Sequence, residues 1–307
     1  MDMGRAADDL RAAMKGFGTD EKALINTLSK LDPLQIASTK QAFQNRHKRD
    51  LIKDIKSETS GYFREGLVAI CRGPLEQDCH TLREAIAGIG TKEAAIDETL
   101  LNRSNADMNA IKSHYQKIYN KSLESELQGD LSGKTERMYN MILAGRRNEE
   151  SSPVIPQQID ADVTELYKAT EATRMGTDQM TVCSILTSRS DGQIRAISTT
   201  YEQKYHKPLD EVLKSEFSGH MEDVLLFIVH DAEDRAKHDA QLLEECMKGA
   251  GTKDEMLVRR IVRVHWDPTR LQQCKGAYKH FYKRDLADRI KGETRGDYEK
   301  LMVACIA

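Results

Sequence analysis

Gly16-Phe17-Gly18-Thr19, with Glu58 lying 40 residues beyond Gly18, decides the fold because the same pattern returns three more times. Gly88-Ile89-Gly90-Thr91 is followed by Asp130 and Arg174-Met175-Gly176-Thr177 by Glu216, again 40 residues after the second glycine position. Gly249-Ala250-Gly251-Thr252 is followed by Glu293 after 42 residues. A glycine stands three positions past each carboxylate: Gly61, Gly133, Gly219 and Gly296. Self-similarity at a fixed long period is the mark of a repeat architecture. The residues it preserves are oxygen donors and glycines, which suit a metal site better than a core.

The intervals between successive second glycines are 72, 86 and 75 residues. The long middle interval falls at 146–160, where apolar periodicity lapses and Pro153 and Pro156 interrupt any helix. The expected organisation is repeats at 5–73, 77–145, 161–232 and 236–307, with 146–160 as linker and the repeats paired in chain order around it. Inside a repeat the apolar residues keep helical spacing: Leu24, Ile25, Leu28 and Leu31, then Ile36 and Phe43, then Leu51, Ile52 and Ile55. Five short helices per repeat follow, in an all-α chain. Each is too short to persist alone, so the stripes must be buried jointly. Thr19, Thr91, Thr177 and Thr252 are expected as N-caps of the helix after each turn, and Ser60, Ser132 and Ser218 as caps of the last helix of their repeats.

Composition agrees with helix. Of 307 residues 39% are hydrophobic and 31% charged, with only 6% aromatic and six prolines. A net charge of −3 gives no bulk attraction to nucleic acid or to an anionic membrane, so no nucleic-acid partner is expected and phosphate binding needs local positive charge. The longest apolar run, Val224 to Val229, has six residues against the ~20 of a spanning helix. The N-terminus has no signal-peptide stretch, and a cytoplasmic protein is expected. Cys71, Cys79, Cys183, Cys246, Cys274 and Cys305 lack CxxC spacing and are expected as reduced core thiols.

The repeated turn has a definite chemistry. Glycines let the backbone adopt positive φ and aim several carbonyls at one point. Carbonyls of Met14, Gly16 and Gly18 with a bidentate Glu58 offer five oxygens. Ca²⁺ takes six to eight hard oxygens at about 2.3 to 2.6 Å, which leaves positions for water or an external anion such as a lipid phosphate. Several such sites on one face would add about 10² to 10⁴ in avidity. Phe17, Ile89 and Met175 are apolar where a loop tip is normally polar, and are expected to touch the lipid interface.

From about Arg5 to Ala307 these motifs resemble the annexin family. That resemblance implies four repeats of five helices in a curved disc, with Ca²⁺ held on its convex face. It places further ligands on Ile86, Gly88 and Gly90 with Asp130, and on Met247, Gly249 and Gly251 with Glu293. The third repeat departs, with Arg174 for the first glycine and Glu171 upstream; Gly176 and Glu216 make a weaker site. In the fourth, two residues added around Val264 to Pro268 should lengthen a loop. The implied function is non-enzymatic, Ca²⁺-dependent and reversible binding to anionic phospholipid membranes in membrane organisation or trafficking, with scope for self-association there. Partners bound through an N-terminal tail are not assigned by the sequence. Two alternatives are a helical protein-binding scaffold with vestigial Ca²⁺ sites, and weak ion conduction. Arg103 and Asp78 match charged positions of the family's central pore but are expected as a structural ion pair, since Thr81 replaces a common acid.

Gly129-Asp130-Leu131-Ser132-Gly133-Lys134-Thr135 mimics a phosphate-binding loop but is one residue short and follows no apolar strand.

Overall fold

A computed structural model describes residues 2–88, 90–131, 133–172 and 176–307. Among them are nineteen helical segments and no strand. One segment, Gly61–Ala87, is two helices broken at Gly73, whose φ of 74° no helix admits, with Pro74 directly after it. Each repeat therefore has five helices, as expected.

The lengths repeat closely. The third helix of every repeat has 15 residues: Pro33–His47, Asn105–Tyr119, Asp191–Tyr205 and Pro268–Tyr282. All four end on a left-handed residue, Lys48, Asn120, His206 or Lys283, whose N–H closes the last turn. The fourth helix always has eight residues: Leu51–Glu58, Leu123–Asp130, Leu209–Glu216 and Leu286–Glu293. The repeated carboxylate is always its last residue.

The molecule divides into two compact units that do not follow chain order. Residues 1–77 and 236–307, the first and fourth repeats, form one; residues 78–235, the second and third, form the other. The expected pairing of the first repeat with the second and the third with the fourth, on either side of the linker, is thus corrected, because the linker lies inside a unit. Helix Glu21–Leu28 packs on Gly296–Cys305 in the first unit, and Gly133–Leu143 packs on Gln179–Ser188 in the second. In the first unit the expected stripes merge with those of the fourth repeat: Leu24, Leu28, Phe43 and Ile55 share one core with Leu257, Ile261 and Ile290. Burial of these side chains is what holds helices this short. All six cysteines are buried free thiols, and burial pushes Cys71 and Cys305 up to about 12.

Three local expectations are revised. Pro156 does not interrupt a helix but opens one at its first position, Pro156–Thr170, where a missing N–H costs nothing. The preceding segment is pinned by polar bonds, with Asn148 N donating to Ser188 O at 2.8 Å and Gln193 Nε2 to Pro153 O at 3.1 Å. The extra residues of the fourth repeat lengthen a helix, not a loop. Asp254–His265 has 12 residues where Glu21–Leu28 has eight, and His265 Nδ1 anchors its end at 2.8 Å from Cys305 O. Ser218 sits at an N-cap but makes no capping bond, and Ser132 lies outside the described residues.

The false phosphate loop resolves as a helix junction, since Gly129 and Asp130 end Leu123–Asp130 and Gly133 starts the next helix. Arg103 Nη2 meets Asp78 Oδ2 at 2.7 Å, the expected ion pair. No helix among the described residues is long and apolar enough to cross a membrane.

Candidate calcium loops

Each loop joins the first helix of a repeat to the second and is closed at its base by one backbone bond. Asp20 N donates to Ala13 O, Lys92 N to Ala85 O and Lys253 N to Cys246 O, each seven residues back. In the third repeat Asp178 N reaches Ala169 O, nine residues back. That closing bond spans two more residues than its counterparts. The upstream Glu171 is engaged elsewhere: Tyr201 Oη donates to it at 2.9 Å.

The threonines do not cap. Each stands one position too early, and Asp20, Lys92, Asp178 and Lys253 occupy the N-caps; Asp20 and Asp178 accept from Ala23 N and Thr181 N. Each threonine hydroxyl instead turns to the carboxylate that ends the fourth helix. Thr19 Oγ1 donates to Glu58 O at 3.2 Å and Oε2 at 3.4 Å, Thr91 Oγ1 to Asp130 Oδ2 at 2.7 Å, and Thr252 Oγ1 to Glu293 Oε2 at 3.0 Å. Thr177 Oγ1 makes the same bond to Glu216. Four threonines thus bring four distant carboxylates to four loops. The recurring spacing, 40 residues in the first three repeats and 42 in the fourth, was the sequence signal for that contact.

The first loop best meets the needs of a hard cation. Gly16 and Gly18 have φ of 115° and 88°, a backbone that side chains resist, and a Cβ at either would meet nothing within 4 Å. The carbonyls of Met14, Gly16 and Gly18 accept no hydrogen bond among the described residues. Glu58 is exposed, and Phe17 at the tip is 112% exposed, so nothing in the repeat covers the ring. Bare carbonyls and one steered carboxylate are the donor set of a Ca²⁺ site.

In the second loop Gly90 keeps a positive φ of 78° but Gly88 does not, and a Cβ at Gly88 would lie 3.3 Å from Glu84 O. The helix there runs through Ala87, so Ile86 is still helical. In the third, Gly176 has φ 91°. The expected lipid contacts Ile89 and Met175 lie outside the described residues.

The fourth loop repeats the backbone of the first, with Gly249 and Gly251 at φ 96° and 85°. Its donors are nonetheless taken. Arg289 Nη2 donates to Met247 O and Arg289 Nη1 to Glu293 Oε1. Those are two of the four ligands expected there, and a fixed guanidinium stands against both. The residues present therefore fit a metal at the first loop and do not fit one at the fourth.

Sequence reading missed Arg289 because it sought ligands and not their competitors. The fourth residue of each eight-residue helix, one turn before the carboxylate, is Asp54, Glu126, Val212 or Arg289. Comparing that column would have found it.

The family model described as Annexin matches residues 5–70, 77–142, 161–228 and 238–305. The chain is 40% identical over 304 residues to annexin C1 of Cryptococcus neoformans var. grubii, covering 98% of this chain and 64% of that protein. Among solved structures, a point mutant of annexin A8 with an intact N-terminus superposes with TM-score 0.93 at 33% identity, covering 100% of this chain and 95% of that one. A calcium-bound annexin (Sm)1 superposes with TM-score 0.87 at 25% identity, covering 100% and 90%. The chain spans about three fifths of the length of the first curated relatives it matches.

Proposed function

The chain belongs to the annexin family, and from that premise we propose that it attaches reversibly to anionic phospholipid membranes in a Ca²⁺-dependent, non-enzymatic way, led by its first loop. The observation that carries the reading is the first loop itself: carbonyls of Met14, Gly16 and Gly18 that accept no hydrogen bond among the described residues, Glu58 steered by Thr19, and Phe17 fully exposed at the tip. Bound Ca²⁺ would supply open coordination positions that lipid phosphate oxygens fill.

The residues divide the work. Met14, Gly16 and Gly18 present carbonyls, Glu58 supplies the negative charge, and Thr19 fixes its direction. Phe17 adds apolar contact once the loop meets the headgroup layer. Gly90 with Asp130, and Gly176 with Glu216, are proposed as weaker loops: the second has a single positive-φ glycine and the third a longer span. Attachment through more than one loop would raise avidity without new contacts.

Co-sedimentation with phosphatidylserine vesicles tests this. The expected result is pelleting with Ca²⁺ and release by chelator. Equal pelleting with and without Ca²⁺ would remove the reading and favour a protein-binding scaffold.

A further inference from the structure

In the first, second and fourth repeats an ion pair joins the first helix to the fourth, and the order of its charges changes along the chain. In the first repeat the arginine is on the first helix and the acid on the fourth: Arg11 Nη1 lies 3.5 Å from Asp54 Oδ2. The second repeat keeps that order in Arg83 with Glu126. At the same places the third has Tyr167 and a buried Val212, with no charge. The fourth reverses the pair: Glu244 is on the first helix and Arg289 on the fourth, with Nε 3.2 Å from Oε2.

The reversal matters because of helical geometry. Residues four apart share a face, so the fourth and eighth positions of this helix point the same way. An acid at the fourth position leaves the terminal carboxylate to the loop, as Asp54 does for Glu58. A base at that position binds it. Arg289 is an i,i+4 partner of Glu293 and is long enough to reach Met247 O as well. Its side chain is only 16% exposed and is further held by Glu244, itself bonded by Tyr278 Oη. Burial opposes the charge, but the bonds to Glu244 and Glu293 raise the Arg289 pKa, so the guanidinium stays protonated at any working pH.

We infer that the fourth loop is a closed calcium site, in which Arg289 is a tethered cation taking the ligands that a metal would need. The loop opens to Ca²⁺ only when the guanidinium leaves Glu293 and Met247. A closed state favoured about 10- to 100-fold weakens apparent affinity by the same factor. The inference rests on Ca²⁺ binding at the first loop.

The test is calorimetric titration with Ca²⁺ alone, on the wild type, Arg289→Met, Arg289→Met/Glu293→Gln and Glu58→Gln. Arg289→Met is expected to bind one more ion per chain than wild type, or to bind at the same count with affinity for that ion raised about tenfold or more. Adding Glu293→Gln should abolish the gain. Because Arg289→Met strands Glu244, Glu244→Gln/Arg289→Met is measured beside it, with thermal melting as the fold control, and the same gain is expected there. If wild type binds Ca²⁺, Glu58→Gln lowers the count and neither Arg289 variant changes it, the inference is overturned while the proposed function stands. If no protein in the set binds Ca²⁺, both fall.

Discussion

The first and fourth loops share nearly everything a motif can specify and differ in what they can hold. Both have two positive-φ glycines, both are closed by a seven-residue backbone bond, and in both a threonine hydroxyl meets the carboxylate ending the fourth helix. They differ at the tip, Phe17 against Ala250, and one turn before the carboxylate, Asp54 against Arg289. Backbone geometry makes a place for a cation; the side chain beneath it decides which cation occupies that place. A +1 group fixed within hydrogen-bond distance of two donors both blocks them and repels a +2 ion.

The comparison can be broken most decisively at the carboxylates. Glu58→Gln removes the charged donor of the open loop and should raise the Ca²⁺ needed for half-maximal vesicle binding about 30-fold or more, because site affinity follows ligand charge. Glu293→Gln should leave it nearly unchanged, and Glu216→Gln should shift it less than Glu58→Gln. Equal shifts for Glu58 and Glu293 would erase the distinction between the loops.

The loop tips give the next largest contrast. Phe17→Ser should weaken vesicle binding about 5- to 30-fold at fixed Ca²⁺, corresponding to about 1–2 kcal/mol of partial aromatic burial. Ala250→Ser should have no measurable effect in the same flotation assay. A smaller effect is expected for Thr19→Val. Losing the hydroxyl that steers Glu58 costs about 1 kcal/mol, or roughly fivefold in Ca²⁺ requirement, without changing the melting temperature in chelator. Thr252→Val should leave the Ca²⁺ titration unmoved.

The ion pair beneath the loops provides the subtlest check. Burial raises the Glu126 pKa, but bonds from Lys121, Tyr115 and Arg83 outweigh it and hold it down to about 2 from 4.5. A depressed carboxylate contributes stability that is fully present above its unfolded value and is lost as pH falls through the folded one. Wild type should therefore lose more stability than Glu126→Gln between about pH 4.5 and about pH 2, as read by urea melts at the two pH values. Parallel losses would mean the second repeat's pair carries no such linkage.

The helices were legible because their signals are local. Leu24, Leu28, Phe43 and Ile55 declare buried faces by spacing alone, and the structure buries all four. The 40-residue interval from glycine to carboxylate was legible for a different reason, since repetition makes a distant contact visible in one chain. What failed were inferences needing knowledge of a neighbour. Thr19 looks like a cap until Asp20 is seen to do that work, and Pro156 looks like a breaker until its first-turn position is known. The extra residues near Trp266 look like loop until His265 is found bonded to the last helix. The pairing of first repeat with fourth is a property of packing, and chain order points the other way. Arg289 was the costliest omission, because a base on a helix surface reads as a solvated residue unless its i,i+4 partner is already understood as a ligand.

A crystal grown with Ca²⁺ tests the central claim most directly. The account predicts an ion in the first loop, touching Glu58 and the carbonyls of Met14, Gly16 and Gly18, while Arg289 remains on Glu293 and Met247. An ion seated between Gly249 and Gly251 with Arg289 swung away, and the first loop bare, would contradict it.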